Sequence, residues 1–188
     1  MILRYRVSLP NLKGFARVYE VKGNSSLYTF HKQMRSDMDF PQDQIVLFKA
    51  FDAEGNVSSR YTMYDMGAGT MDDVTLEQCH KKGEDNFTYF YDTTNAKSVL
   101  ISFDGVAESR KGVIYPVLVE SKGPNPIEFE NGYVAYEDLP EDNKRKLNPD
   151  DEDFDDDEDF DDDEDNEDED EDEDEDGAEI FDEDEDDQ

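Results

Sequence analysis

The chain holds one cysteine, Cys79, and two histidines, His31 and His80, and their spacing bounds the chemistry open to it. Cys79 and His80 are adjacent, so on a helix their side chains diverge by about 100°, and a shared metal or a Cys–His pair is disfavoured. No second cysteine completes a CxxC pair, the spacing that marks a zinc site. No GxSxG elbow, Walker loop, GxGxxG fingerprint or HExxH helix occurs, and Cys79 has no orienting base at readable spacing for nucleophilic catalysis. One calcium-loop pattern does occur, Asp172-Glu173-Asp174-Glu175-Asp176-Gly177 with Glu183. It lies in an Asp/Glu run that satisfies the pattern by composition. No amphipathic helix flanks it, so loose condensation of divalent ions is the favoured reading. No metal site and no cofactor are expected.

Two further sets of residues carry weight. His31 falls on the apolar stripe Leu27, Phe30, Met34, Met38 of a helix; a hydrogen-bonded core histidine is favoured over a ligand or catalytic role. Arg4 and Arg6 fall on the polar face of the first strand, and Arg17 is close in sequence. The three form a candidate anion patch, weighed against an ordinary solvated sheet face, which is favoured.

The elements that position these residues follow from hydrophobic period. Leu3, Tyr5, Val7 and Leu9 alternate with Arg4, Arg6 and Ser8, the period of a half-buried strand. Further strands are expected at 15–21, 45–51, 57–64, 87–91, 98–103 and 113–119. Ser25 or Ser26 is placed to cap the His31 helix. Thr75 with Gln78 has capping-box spacing, and Gly83 suits the C′ position of a helix over 76–82. Pro140 suits N1 of a last short helix ending in Lys144, Arg145 and Lys146. Gly123-Pro124-Asn125-Pro126 is too rich in proline to continue a strand. The fold class is α+β: a mostly antiparallel sheet of about seven strands with two or three short helices.

From Asp150 to the C-terminus, 31 of 39 residues are Asp or Glu and none is Lys, Arg or His. The residues before Asp150 hold 22 acids against 18 Lys and Arg, so nearly all of the net charge of −35 sits in this segment. Two domains are expected: a folded one over 1–148, and a disordered acidic tail over 149–188, which cannot bury enough apolar surface to offset its ordering entropy. Phe154, Phe160 and Phe181 are isolated apolar points in the tail and candidate anchors for a partner. A lone cysteine fits a reducing compartment. The opening residues lack a signal-peptide run, and no stretch approaches the roughly 20 apolar residues of a membrane span. A cytoplasmic setting without membrane contact is expected.

Three stretches carry a resemblance. They are Leu12-Lys13-Gly14-Phe15 through Leu27 and His31, Phe87-Thr88-Tyr89-Phe90-Tyr91-Asp92, and Tyr115-Pro116-Val117-Leu118 through Gly123 to Pro126-Ile127-Glu128. Together they resemble the plasmid pRi ORF-three-like family, whose members also occur as passenger proteins of insertion elements. The family implies an α+β fold and no established activity. Where its strand continues Asp-Phe-Gly-Asp, this chain reads Asp92-Thr93-Thr94-Asn95. The resemblance implies a candidate polar cluster of His31, Tyr91, Asp92 and Glu128.

The functional reading is a non-enzymatic interaction protein whose acidic tail engages basic proteins or imitates the charge of nucleic acid. Like-charge repulsion excludes direct nucleic-acid binding by the tail. The alternative is a small-ligand-binding or enzymatic α+β domain with a solubilising tail, or an autoinhibitory one that shields Arg4, Arg6 and Arg17.

Overall fold

The computed structural model describes residues 1–140 and residue 143. Its centre is one seven-stranded sheet: β1 (Ile2–Ser8), β2 (Ala16–Lys22), β3 (Leu47–Phe51), β4 (Val57–Tyr61), β5 (Asn86–Asp92), β6 (Lys97–Ala107) and β7 (Val117–Lys122). The strand order is β4-β3-β5-β6-β1-β2-β7, and every pairing is antiparallel. Among the described residues it is accompanied by the helices α1 (Leu27–Asp37), α2 (Leu76–Lys81) and α3 (Pro126–Glu130). This is the expected α+β architecture.

The alternation in β1 divides its residues between two faces. Leu3, Tyr5 and Val7 are fully buried and lie opposite Val21, Tyr19 and Arg17. On that face α1 lays Leu27, Phe30, His31 and Met34, with the Phe30 ring 5.7 Å from Tyr5 and 5.5 Å from Tyr19. Burying each such ring stabilises the fold by about 1.5–3 kcal/mol. α2 adds Leu76 and Cys79 to the same core.

The helix starts have a common anchor. Ser26 caps α1 through Thr29 N–H, while Thr75 and Gln78 close the expected capping box on α2. These caps are themselves joined: Leu27 N–H donates to Val74 O at 3.0 Å and Leu76 N–H to Ser25 O at 3.1 Å. Gly83, at φ +77°, ends the second helix as expected.

Three expectations are revised. The last strand is Val117–Lys122 rather than 113–119; Pro116 has no N–H to give a ladder, so pairing with β2 begins after it. The Gly-Pro-Asn-Pro stretch does more than end that strand, since Pro126 is the first residue of α3. β6 extends four residues beyond its expected end, to Ala107, and pairs there with β1. The helix expected after Pro140 and the whole 149–188 segment lie outside the described residues. Among the described residues no helix is long and apolar enough to cross a membrane.

Candidate functional site

His31 opens the most chemically suggestive feature of the domain. It sits in a cleft of about 270 Å³ lined by Tyr28 and Arg35 from α1, by the segment Gln42 to Val46, and by Thr62, Met63 and Tyr64 after β4. Its Nδ1 lies 2.7 Å from the buried Tyr89 hydroxyl. The Tyr89 proton has no other acceptor among the described residues, and a buried O–H left unbonded is costly. Tyr89 therefore donates, Nδ1 accepts, and the imidazole carries its proton on Nε2. Burial, then the charges of Arg35 and Lys32, push the His31 pKa down to about 4. The ring is thus a neutral core histidine with one edge on a cleft.

The rest of the cluster implied by resemblance divides. Tyr91 and Asp92 line a separate pocket of about 80 Å³ with Phe40, Lys97 and Glu130. Tyr91 stacks on Phe40, centroids 4.0 Å apart, and donates to Glu130 at 2.8 Å. Glu130 also meets Lys97 at 2.5 Å. Asp92 turns back on its own loop, accepting from Asn95 N–H at 3.0 Å and from its side-chain amide at 2.6 Å. These bonds hold its carboxyl below the ordinary value. Glu128 lines neither pocket; the carboxylate brought to Tyr91 is Glu130, two residues on and a different face of α3. A chain of rings does join the two sites, since Tyr89 neighbours both His31 and Phe40.

The three arginines of the candidate anion patch do not share a face. Arg4 pairs with the buried Glu20 at 3.0 Å, and Arg6 lies 3.9 Å from Asp104 and 3.8 Å from Glu120. Glu20 is also held by Arg110 at 2.5 Å. Arg17 projects from the other side of the sheet and is 4% exposed, so it is a strut rather than a surface cation. Its guanidinium donates to Ala16 O, Lys122 O, Gly123 O and Asn125 Oδ1 and lies over the Phe15 ring at 4.6 Å.

One polar centre has no sequence signal. Glu84, 1% exposed, accepts from Ser58, Ser59 and Tyr61. Burial raises its pKa, but these three donors outweigh burial and hold it below the ordinary value. Nothing local in the sequence names its partners, which lie more than 20 residues away. Cys79 beside it is buried, and burial, then Glu84, pushes its thiol up to about 12. Among the described residues no three His, Cys, Asp or Glu side chains converge as metal ligands. Phe154, Phe160, Phe181 and the calcium-loop pattern lie outside the described residues.

The geometry defines a class: an α+β protein with an open, wholly antiparallel seven-stranded sheet and helices over one face, its polar groups largely turned on one another. The family model described as Plasmid pRiA4b ORF-3-like protein matches residues 2–183, and the chain belongs to that family. Among curated proteins none matches. Among solved structures, a protein of unknown function, MM3350 from Methanosarcina mazei Go1, is similar in fold, with a TM-score of 0.56 and 15% identity. That alignment covers 64% of this chain and 68% of the other.

Proposed function

We propose that this is a non-enzymatic interaction protein of the cytoplasm whose acidic C-terminal segment engages basic proteins and competes with nucleic acid for their surfaces. The carrying observation is the 31 Asp and Glu among the last 39 residues, with no base. At the rise of an extended chain, one charge falls about every 4 Å, the regime of a nucleic-acid strand, in which duplex DNA carries one per about 1.7 Å. Such a segment attracts basic surfaces over distance and raises encounter rates. Phe154, Phe160 and Phe181 offer apolar points to add to the charge.

The folded domain favours an outward target over its own arginines. Arg4 and Arg6 already face Glu20, Asp104 and Glu120, and Arg17 is buried. The one cysteine supports the reducing compartment. The test is partner capture with and without residues 150–188, at low and at high salt. Basic proteins captured only with the segment, and released by salt, are expected; the same partners from both forms would refute the reading.

A further inference from the structure

The His31 cleft is lined by hydrogen-bond donors. His31 and Arg35 are one turn apart on α1 and so share a face. His31 Nε2 has no protein partner among the described residues and is not sealed from solvent, so its N–H opens on the cleft. Arg35 forms no ion pair among them either. Lys32, which lines a neighbouring cleft, has its Nζ 5.8 Å from the ring centroid of the shared residue Tyr28. The one carboxylate in the lining is Asp43, which accepts from Gln44 at 3.4 Å. Arg35 and Lys32 place positive charge near the imidazole.

Three apolar side chains of the lining are uncovered. Tyr64 is 79% exposed, Ile45 69% and Met63 47%, although each lines the cleft. Exposed hydrophobic side chains that line the same cleft as hydrogen-bond donors are the combination a small-ligand site uses. The Thr62 hydroxyl fixes the backbone at Tyr64, accepting from its N–H and donating to its carbonyl.

We propose that this cleft binds a small aryl carboxylate, its carboxylate held by Arg35 and His31 Nε2–H and its ring against Tyr64, Met63 and Ile45. Guanidinium and imidazole N–H groups both donate, which suits an anion and rejects a cation. A cavity of about 270 Å³ has room for one ring and its acid group.

The experiment uses the full chain and phenylacetate as probe, with acetate and benzylamine as controls, followed by the His31 imidazole and Met63 methyl NMR signals. Phenylacetate is expected to shift both signals saturably, with a Kd of about 1 mM or tighter, and more tightly than acetate. Arg35→Gln is expected to weaken it about tenfold. Tyr64→Ala, at a residue too exposed to matter for folding, is expected to weaken it about threefold. The absence of saturable shifts, undiminished binding in either variant, or equal binding of acetate or benzylamine would overturn the proposal.

Discussion

The Tyr61 hydroxyl donates to the Glu84 carboxylate at 2.5 Å, and this contact fastens the edge strand β4 to the turn that follows helix α2. A bulge makes the rest of the centre possible. Ala50 pairs with Ser59 but Phe51 pairs with Val57, so Ser58 is an extra residue. Two successive serines can then reach one carboxylate oxygen, at 2.7 and 2.5 Å. Glu84→Ala strands three hydroxyls and is expected to cost about 2–4 kcal/mol in urea unfolding, with Glu84→Gln costing less. Because the folded carboxyl lies below its ordinary value of 4.5, its contribution is complete above that pH and is lost as pH falls through the folded value. Glu84→Gln should remove that part of the acid sensitivity; an unchanged acid limb would contradict the account.

Arg17 and Gly123 hold the opposite corner. Arg17→Met frees the carbonyls of Lys122 and Gly123 and is expected to destabilise by about 2–4 kcal/mol. Arg17→Lys should rescue little, since an ammonium lacks the planar fork. At Gly123, φ is +71° and an added Cβ would lie 2.1 Å from Gly14 O. Gly123→Ala should therefore cost more than Gly55→Ala, where φ is +84° but nothing lies within 4 Å, for which about 1 kcal/mol is expected. Equal costs in thermal unfolding would show that the close approach is unimportant.

His31 gives a signature in pH. Burial first, then Arg35 and Lys32, lower its folded pKa to about 4 from 6.5. The unfolded chain therefore takes up the proton first as pH falls. This group's contribution is full above about 6.5, declines toward about 4, and is flat below. An NMR titration of the imidazole should have its midpoint near 4, and His31→Gln should remove that component of the stability curve. A midpoint near 6.5 would contradict the buried, neutral assignment.

Cys79 is expected to be inert. Its thiol, pushed up to about 12, stays protonated near neutrality. Iodoacetamide should label it only after denaturant unfolds the domain. Labelling of the native protein at the rate of a free thiol would show an exposed or ionised sulfur.

Much of this fold is legible where local pattern and burial agree. The alternation Leu3, Tyr5, Val7 announces β1, and Thr75 with Gln78 announces α2, because each depends on neighbours within a few residues. β7 is harder to read, since an edge strand mostly open to solvent has no clean alternation, and the apolar Ile114, 88% exposed, draws the eye to the loop before it. Arg17 reads as a surface charge in sequence; only the register that sets it opposite Val7 shows that it faces inward. His31 is legible as a core histidine, whereas its cleft is not, because Gln42 to Val46 and Thr62 to Tyr64 reach it only through the fold. Glu84 illustrates the limit: its donors are fixed by a bulge that no local pattern marks.

The acidic segment is the centre of the functional account. Its most direct test compares the native chain with one whose Asp and Glu from Asp150 onward are replaced by Asn and Gln, measuring affinity for the captured basic proteins across a salt series. The native chain is expected to bind them with a steep loss of affinity as salt rises, and the neutral chain to bind weakly without that dependence. Equal affinity and equal salt dependence in the two chains would contradict the account.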